Sequence, residues 1–82
     1  MLSLNEILSQ NTDLFREILD NEELVLTPAT TADDIGEWDS VTHIQLIVAM
    51  EDHFNILFTT SEITSYRNVG EMCHAIQKKL AS

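Results

Sequence analysis

The chain has 82 residues, of which 44% are hydrophobic, so it can build one small core and is not disordered in character. Fourteen acidic residues against four basic ones give a formal net charge of −10, which disfavours binding to nucleic acid or to an anionic membrane. The charge keeps a small domain soluble and favours protein partners that carry basic patches. We therefore expect a single domain over residues 1–82.

Cysteine usage and the N-terminal residues indicate a cytoplasmic protein. Cys73 is the one cysteine, so an internal disulfide is excluded and a reducing setting fits. The first ten residues, MLSLNEILSQ, lack the basic region and apolar run of a signal peptide. The stretch IQLIVAM is too short for a membrane span, which needs about 20 apolar residues.

The first predicted helix begins near Ser3, because Ser3 and Glu6 have the spacing of a capping box. Apolar residues then recur at helical intervals as far as Ile18, and the pattern ends at residues 20–21. Residues 11–13 could cap a second start, so the sequence leaves a kink in this helix open.

Residues 20–39 predict a long connection, since Pro28 after Thr27 prevents a helix from continuing. Leu24, Leu26 and Ile35 are expected to hold this loop against the core. A connection of this length is uncommon in a small domain and often functional.

Three further helices are predicted after the loop. Asp39 is well suited to cap a helix over residues 40–54. Capping-box spacings predict a short helix around 60–65 and a last helix from 68 to about 80. The expected fold class is therefore all-α: a small four-helix bundle of three main helices and one short helix, with a long loop between helices 1 and 2.

The second predicted helix carries two apolar stripes, whereas a helix of a small bundle needs one. At about 100° per residue, the stripe expected to fill the core consists of Leu46, Ile47, Met50 and Phe54. The other stripe consists of Val41, Ile44 and Val48, and it is bordered by Gln45, Glu51 and Asp52. An exposed apolar stripe with an acidic border is typical of a docking surface.

Ser40 opens this helix, where free N–H groups and the positive end of the helix dipole favour an attached phosphate. Asp39 beside it could hold a Mg²⁺ ion for a modifying enzyme, since hard cations bind carboxylate and phosphate oxygens. Alternatively, both residues only cap the helix and the second stripe is buried. Capping alone is the commoner role for such residues, and the pattern does not decide between the two.

At these residues the chain resembles an acyl carrier protein. The tripeptide Asp39-Ser40-Val41 resembles the family's D-S-L attachment motif. Upstream, LTPATTADDIGEWDS resembles the loop that ends at the modified serine, and downstream EITSYRNVGEM resembles the short third helix and the start of the fourth. The resemblance covers nearly the whole chain and implies an acyl-carrier-protein-like fold.

The resemblance implies that a phosphopantetheinyl transferase moves phosphopantetheine from coenzyme A onto Ser40, with Asp39 part of the same cofactor site. The thiol of that arm would carry acyl groups as thioesters for enzymes of a polyketide, nonribosomal or fatty-acid-type pathway. The chain would be a carrier and not an enzyme. Further implied partners are an acyl-loading ligase or transferase and a ketosynthase or other acyl-processing enzyme with a basic docking patch. We expect a monomer.

The resemblance also assigns surface and cavity residues. The expected partner-binding residues are Trp38, Val41, Ile44, Gln45, Val48, Glu51, Asp52 and Phe58. Leu46, Met50 and Phe54 match positions that line the family's acyl cavity. Gln45 stands where fatty-acid carriers usually have an acid, and Glu37-Trp38 is more similar to stand-alone carriers of specialised pathways.

Other functions fit the sequence less well. His43, His53 and His74 lack the spacing of a zinc site and are interpreted as surface residues, and Cys73 as a buried, inert thiol. The main alternative is a small acidic helical adaptor or inhibitor module without a prosthetic group. The two hypotheses differ at Ser40, because only a carrier requires its hydroxyl.

Overall fold

The computed structural model describes residues 2–81, and they form an all-helical bundle. The elements in chain order are α1 (Leu4–Ile18), a single 3₁₀ turn (Ala32–Asp34), α2 (Ser40–Phe54), α3 (Thr60–Ser65) and α4 (Val69–Ala81). No strand occurs within residues 2–81. The predicted fold class, with three main helices and one short helix, is confirmed.

Helix α1 is continuous, so the kink that the sequence left open does not occur. Ser3 caps it as predicted: its hydroxyl accepts from the Glu6 N–H, and the Glu6 carboxylate accepts from the Ser3 N–H at 3.1 Å. Asn11 is fully buried inside the helix, and the Thr12 hydroxyl donates to the carbonyl of Leu8. Neither side chain caps a second start, because the Asn11 amide donates instead to Cys73 Sγ of α4 at 3.5 Å.

The long loop is held to the bundle at both of its halves. Leu24, Leu26 and Ile35 are buried as predicted, and Arg16 Nε donates to the Leu24 carbonyl at 2.7 Å. The loop therefore has a fixed course from α1 to α2, although it is largely irregular.

The middle of the loop contacts the first turn of α4 through the backbone. The Val69 N–H donates to the Thr30 carbonyl at 2.9 Å, and the Gly70 N–H donates to the Pro28 carbonyl at 2.8 Å. A Cβ at Gly70 would lie 2.8 Å from the Pro28 oxygen, so only glycine allows this approach. Loop carbonyls thus satisfy N–H groups that a helix start otherwise leaves unpaired.

The core lies between α1, α2 and α4. Its largest fully buried side chains are Ile7, Phe15, Leu46, Ile47, Met50, Val69, Met72 and Ile76. Cys73 is buried among them, and burial raises the pKa of its thiol, as expected for an inert cysteine. None of the helices in residues 2–81 has the length and apolar character that a bilayer crossing requires.

Short helix α3 is attached to α4 by an ion pair and to α2 through a residue that precedes it. Lys79 of α4 forms an ion pair with Glu62 at 2.9 Å, and its Nζ lies 5.4 Å from the centre of the Phe58 ring. The Phe58 N–H, just before α3, donates to the Glu51 carboxylate of α2 at 2.9 Å. These contacts tie the start of α3 to α4 and to the last turns of α2.

Candidate functional site

Asp39 is the N-cap of α2, and its carboxylate organises the first turn. Its Oδ1 accepts from the N–H groups of Val41 and Thr42, each at 2.9 Å. The Asp39 N–H donates in return to the Thr42 hydroxyl at 2.8 Å. The Thr42 N–H, the side chain of Thr42 and the Val41 N–H hold the pKa of the Asp39 carboxyl below its ordinary value.

Ser40 is the first residue of α2, so capping is the work of Asp39 and not of Ser40. The Ser40 side chain is exposed, and within residues 2–81 its hydroxyl has no hydrogen-bond partner. The sequence analysis expected free N–H groups here, but Asp39 already occupies those of Val41 and Thr42. The fold therefore makes no use of the Ser40 hydroxyl, which is left open to chemistry.

A groove of about 400 Å³ opens beside this serine, between the start of α2 and α3, and we call it the Ser40 groove. Its walls include Ser40, His43 and Ile44 from α2 and Ile63, Tyr66 and Arg67 from α3 and the residues that follow it. A volume of this order is typical of small-molecule sites. Apolar and aromatic side chains supply most of the named walls.

His43 holds the Ser40 groove together, and its interpretation as a surface histidine is wrong. The indole N–H of Trp38 donates to His43 Nδ1 at 3.0 Å, and His43 Nε2 lies 2.8 Å from the Ile63 carbonyl. Because Nδ1 accepts, the proton of a neutral ring lies on Nε2, which donates to Ile63. The ring thus joins the loop, α2 and α3 one helical turn after Ser40. His53 and His74 are exposed, as predicted.

Trp38 and Phe58 are mostly buried, with 8% and 9% of their surfaces exposed, so neither is a surface contact as the sequence analysis expected. Trp38 packs edge-on against Phe15 at 5.0 Å between ring centres, and Phe58 packs against Tyr66 at 6.0 Å. Packing these aromatic rings into the core removes a large apolar surface from water, which stabilises the fold. Trp38 still reaches the wall of the Ser40 groove.

The far wall of the groove holds two residues that the sequence analysis missed. Tyr66 is half-buried, its Oη has no hydrogen-bond partner within residues 2–81, and burial raises its pKa to about 12. Arg67 lines the same wall with an exposed side chain. Neither carries a sequence signal, because their place beside Ser40 depends on how α3 packs.

The second apolar stripe of α2 is on the surface. Val41, Ile44 and Val48 are 66%, 50% and 49% exposed, whereas the first stripe is buried. This exposure confirms the predicted division of α2 and excludes the interpretation in which both stripes are buried.

The three polar residues that border the stripe differ in exposure. Gln45 and Asp52 are exposed, but Glu51 is half-buried and accepts from the Phe58 N–H. Leu57, which the sequence analysis overlooked, is the most exposed large apolar residue among residues 2–81. With Glu51 and Asp52 it lines a separate depression of about 570 Å³. This depression is larger than the Ser40 groove but lies at the other end of α2.

The residues around Ser40 fit an attached phosphopantetheine arm. An exposed hydroxyl without a structural role lies at the edge of a groove with apolar and aromatic walls. Within residues 2–81, His, Cys, Asp and Glu side chains form no group of three or more that could hold a metal ion. The exposed hydroxyl and the groove beside it are the features of an attachment point.

Comparison with known proteins identifies the class. The family model described as "Phosphopantetheine attachment site" matches residues 12–76, and the chain belongs to this family of phosphopantetheine-binding carrier proteins. It is also similar to the solution structure of a holo acyl carrier protein from Geobacter metallireducens, with 41% identity and a TM-score of 0.86. That match covers 92% of this chain and 86% of the other. No curated protein sequence matches significantly.

The family and the structural match give the chain its general role. It is an acyl carrier with a covalently attached 4′-phosphopantetheine, and it carries substrates without catalysing their conversion. Its partners as a class are a phosphopantetheinyl transferase and acyl-processing enzymes.

Proposed function

We propose that Ser40 carries the phosphopantetheine arm and that residues 1–82 form one carrier domain. The observation that carries this proposal is the exposed Ser40 hydroxyl, which has no partner within residues 2–81 and lies at the edge of the Ser40 groove. The tripeptide around it also resembles the family's attachment motif. When bound, the group supplies a terminal thiol that holds acyl groups as thioesters.

The chain's own residues prepare this serine for modification. Asp39 fixes the first turn of α2 through Oδ1, so Ser40 is presented at a rigid helix start. The second oxygen of the Asp39 carboxylate can take part in holding the transferase's metal ion while the Ser40 oxygen displaces adenosine 3′,5′-bisphosphate from the phosphorus of coenzyme A. The phosphoanhydride bond of coenzyme A breaks at the phosphorus that carries pantetheine, and a phosphodiester to Ser40 forms there. The Ser40 proton passes to a base of the transferase.

Partner enzymes dock on the exposed stripe of Val41, Ile44 and Val48. Three half-exposed apolar side chains in a row gain free energy when a partner covers them. Asp52 and the rest of the −10 net charge steer partners with basic patches, such as a loading ligase or a ketosynthase. Replacing Asp52 by Lys should therefore weaken docking more at low salt than at high salt. An effect that salt does not change would remove steering from the proposal.

The pathway that the chain serves is proposed to be a specialised one of polyketide or nonribosomal type, located in the cytoplasm. Gln45 and His43 lie on α2 where fatty-acid carriers favour acidic or polar side chains. The exposed Gln45 lowers the negative charge of the docking helix and so favours a partner with a less basic patch. The buried, unpaired thiol of Cys73 suits a reducing compartment.

The test is the intact mass of the chain after incubation with coenzyme A, Mg²⁺ and a phosphopantetheinyl transferase of broad specificity. The wild type should gain one phosphopantetheine, and the Ser40→Ala variant should gain none. Ser61→Ala, which changes another exposed serine, is the matched control and should be modified like the wild type. No gain by a folded wild-type chain would favour the adaptor function, and a gain by Ser40→Ala would move the attachment to another residue.

A further inference from the structure

Positive charge is scarce in this chain, and the structure uses most of it internally. The sequence has four Lys and Arg residues against fourteen acids. Arg16 is bonded to the Leu24 carbonyl, and Lys79 is paired with Glu62. Lys78 lies on α4 beside Lys79, where both line a separate cavity of about 470 Å³.

Arg67 is used differently. Its backbone N–H caps the start of α4 by donating to Glu71, but within residues 2–81 its guanidinium has no hydrogen bond or ion pair. The side chain lines the Ser40 groove with the apolar walls of Ile44, Ile63 and Tyr66. Asp39, the acid in the same groove, is committed to the first turn of α2 through Oδ1 and is not paired with Arg67.

A guanidinium next to apolar walls attracts anions strongly. It keeps its charge at every working pH and offers N–H donors in a planar fork that matches the oxygens of phosphate and carboxylate. Hydrogen bonds between such charged groups are stronger than neutral ones, and they remain favourable for an exposed guanidinium such as that of Arg67. In a protein of net charge −10, a cation without a partner beside the attachment serine requires an explanation.

We propose that Arg67 is the anion-binding residue of the Ser40 groove and that it binds an oxyanion of the tethered group. This inference rests on the proposed attachment at Ser40. Two sources supply the same chemistry: the phosphodiester next to Ser40, and a carboxylate at the end of a dicarboxylic acyl group folded back into the groove. In the first case Arg67 orients the arm, and in the second it selects acidic cargo over neutral cargo.

The experiment uses ¹⁵N-labelled chain in four forms. These are the unmodified chain, the chain carrying phosphopantetheine with a free thiol, and the same carrier loaded with butyryl or with succinyl. The probes are the NMR signals of Arg67 Nε–H and of the Ile63 and Thr64 amides, which lie along the groove. Butyryl and succinyl have the same carbon number, and only succinyl adds a negative charge. Intact mass establishes first that each form carries its arm.

If the phosphodiester binds Arg67, the Nε–H signal should shift when phosphopantetheine is attached and change little when butyryl or succinyl is loaded onto it. If a cargo carboxylate binds, the signal should shift with succinyl and not with butyryl. In either case Arg67→Gln should reduce the fraction of molecules whose tethered group lies in the Ser40 groove, read from the Ile63 and Thr64 amide signals. The expected loss is roughly two- to fivefold at low salt, a range typical of partly exposed ion pairs. Arg67→Lys, which keeps the charge without the fork, should give a smaller loss. Lys78→Gln removes the same charge elsewhere and should have no effect.

Two results would overturn the inference while leaving the proposed function intact. One is an Arg67 signal that is the same in all four forms of a chain whose mass shows the arm. The other is a Lys78→Gln effect as large as that of Arg67→Gln, since that would show a general charge effect. A chain that gains no mass overturns the proposed function, and the anion site falls with it.

Discussion

His43→Ala should clearly destabilise the protein, although His43 lies at the wall of the Ser40 groove. The substitution removes the acceptor for the Trp38 indole N–H and the donor to the Ile63 carbonyl, bonds of 3.0 and 2.8 Å. A buried donor left without a partner costs about 1–3 kcal/mol, and Trp38 is 8% exposed. The Ile63 carbonyl lies on a half-exposed helix that water can reach, so its lost bond adds about 1 kcal/mol. We therefore expect a loss of about 2–4 kcal/mol in the free energy of unfolding.

Urea unfolding measures this loss, with circular dichroism for the helices and the fluorescence of Trp38, the one tryptophan, for the loop. His74→Ala, on the surface of α4, is the matched control and should stay within about 0.5 kcal/mol of the wild type. A double-mutant cycle with Trp38→Phe isolates the indole–imidazole bond, and a coupling of about 0.5–3 kcal/mol is expected. A loss below about 0.5 kcal/mol for His43→Ala, or strict additivity in the cycle, would refute the bridging role.

Three further predictions concern the attachment turn and the loop. Ser40→Ala should change the free energy of unfolding by no more than about 0.5 kcal/mol, because Asp39 supplies the cap; denaturant unfolding checks this. Gly70→Ala should lower stability by about 1–3 kcal/mol, since its Cβ would meet Pro28 O at 2.8 Å, whereas Gly36→Ala, with nothing within 4 Å, should be neutral or stabilising in the same assay. Asp39→Asn should reduce the loss of thermal stability on acidification. The pKa of Asp39 is lowered in the folded state, so its contribution is present above the unfolded value of 3.8 and lost as pH falls through the folded value.

Each of these has an outcome that contradicts its reasoning. Destabilisation by Ser40→Ala of more than about 1 kcal/mol would mean that the serine hydroxyl supports the helix after all. Equal effects at Gly70 and Gly36 would show that the loop moves away from α4 at little cost. An acid transition of Asp39→Asn that coincides with that of the wild type would mean that the carboxylate's charge does not support the first turn of α2.

Local sequence patterns predicted the helices well because capping and periodicity act over a few residues. Ser3 with Glu6 and Thr59 with Glu62 form capping boxes at the predicted places. The two stripes of α2 are separated as the 3.6-residue period requires, one buried and the other exposed. The end of α1 also matches the pattern, since the helix ends at Ile18 and Asp20 turns the chain with a φ of 53°.

The side chains around Ser40 could not be predicted in the same way. The partners of His43 lie five residues before it and twenty residues after it, and no short pattern joins them. Trp38 could belong to either the surface or the core by its position before the helix, and only packing against Phe15 decides. Arg67 faces the groove because of how α3 lies on α2. Residues that depend on tertiary contacts are the ones that the sequence analysis misplaced or missed.

The backbone hydrogen bonds between the long loop and α4 make it possible to detect separation of the loop from α4 by hydrogen exchange. The amide protons of Val69 and Gly70 are held by Thr30 and Pro28 and can exchange with solvent only when the loop separates from α4. Slow exchange at both positions during a partner's docking would mean that the segment leading to Ser40 stays in place. The enzymes would then receive the serine on a fixed support.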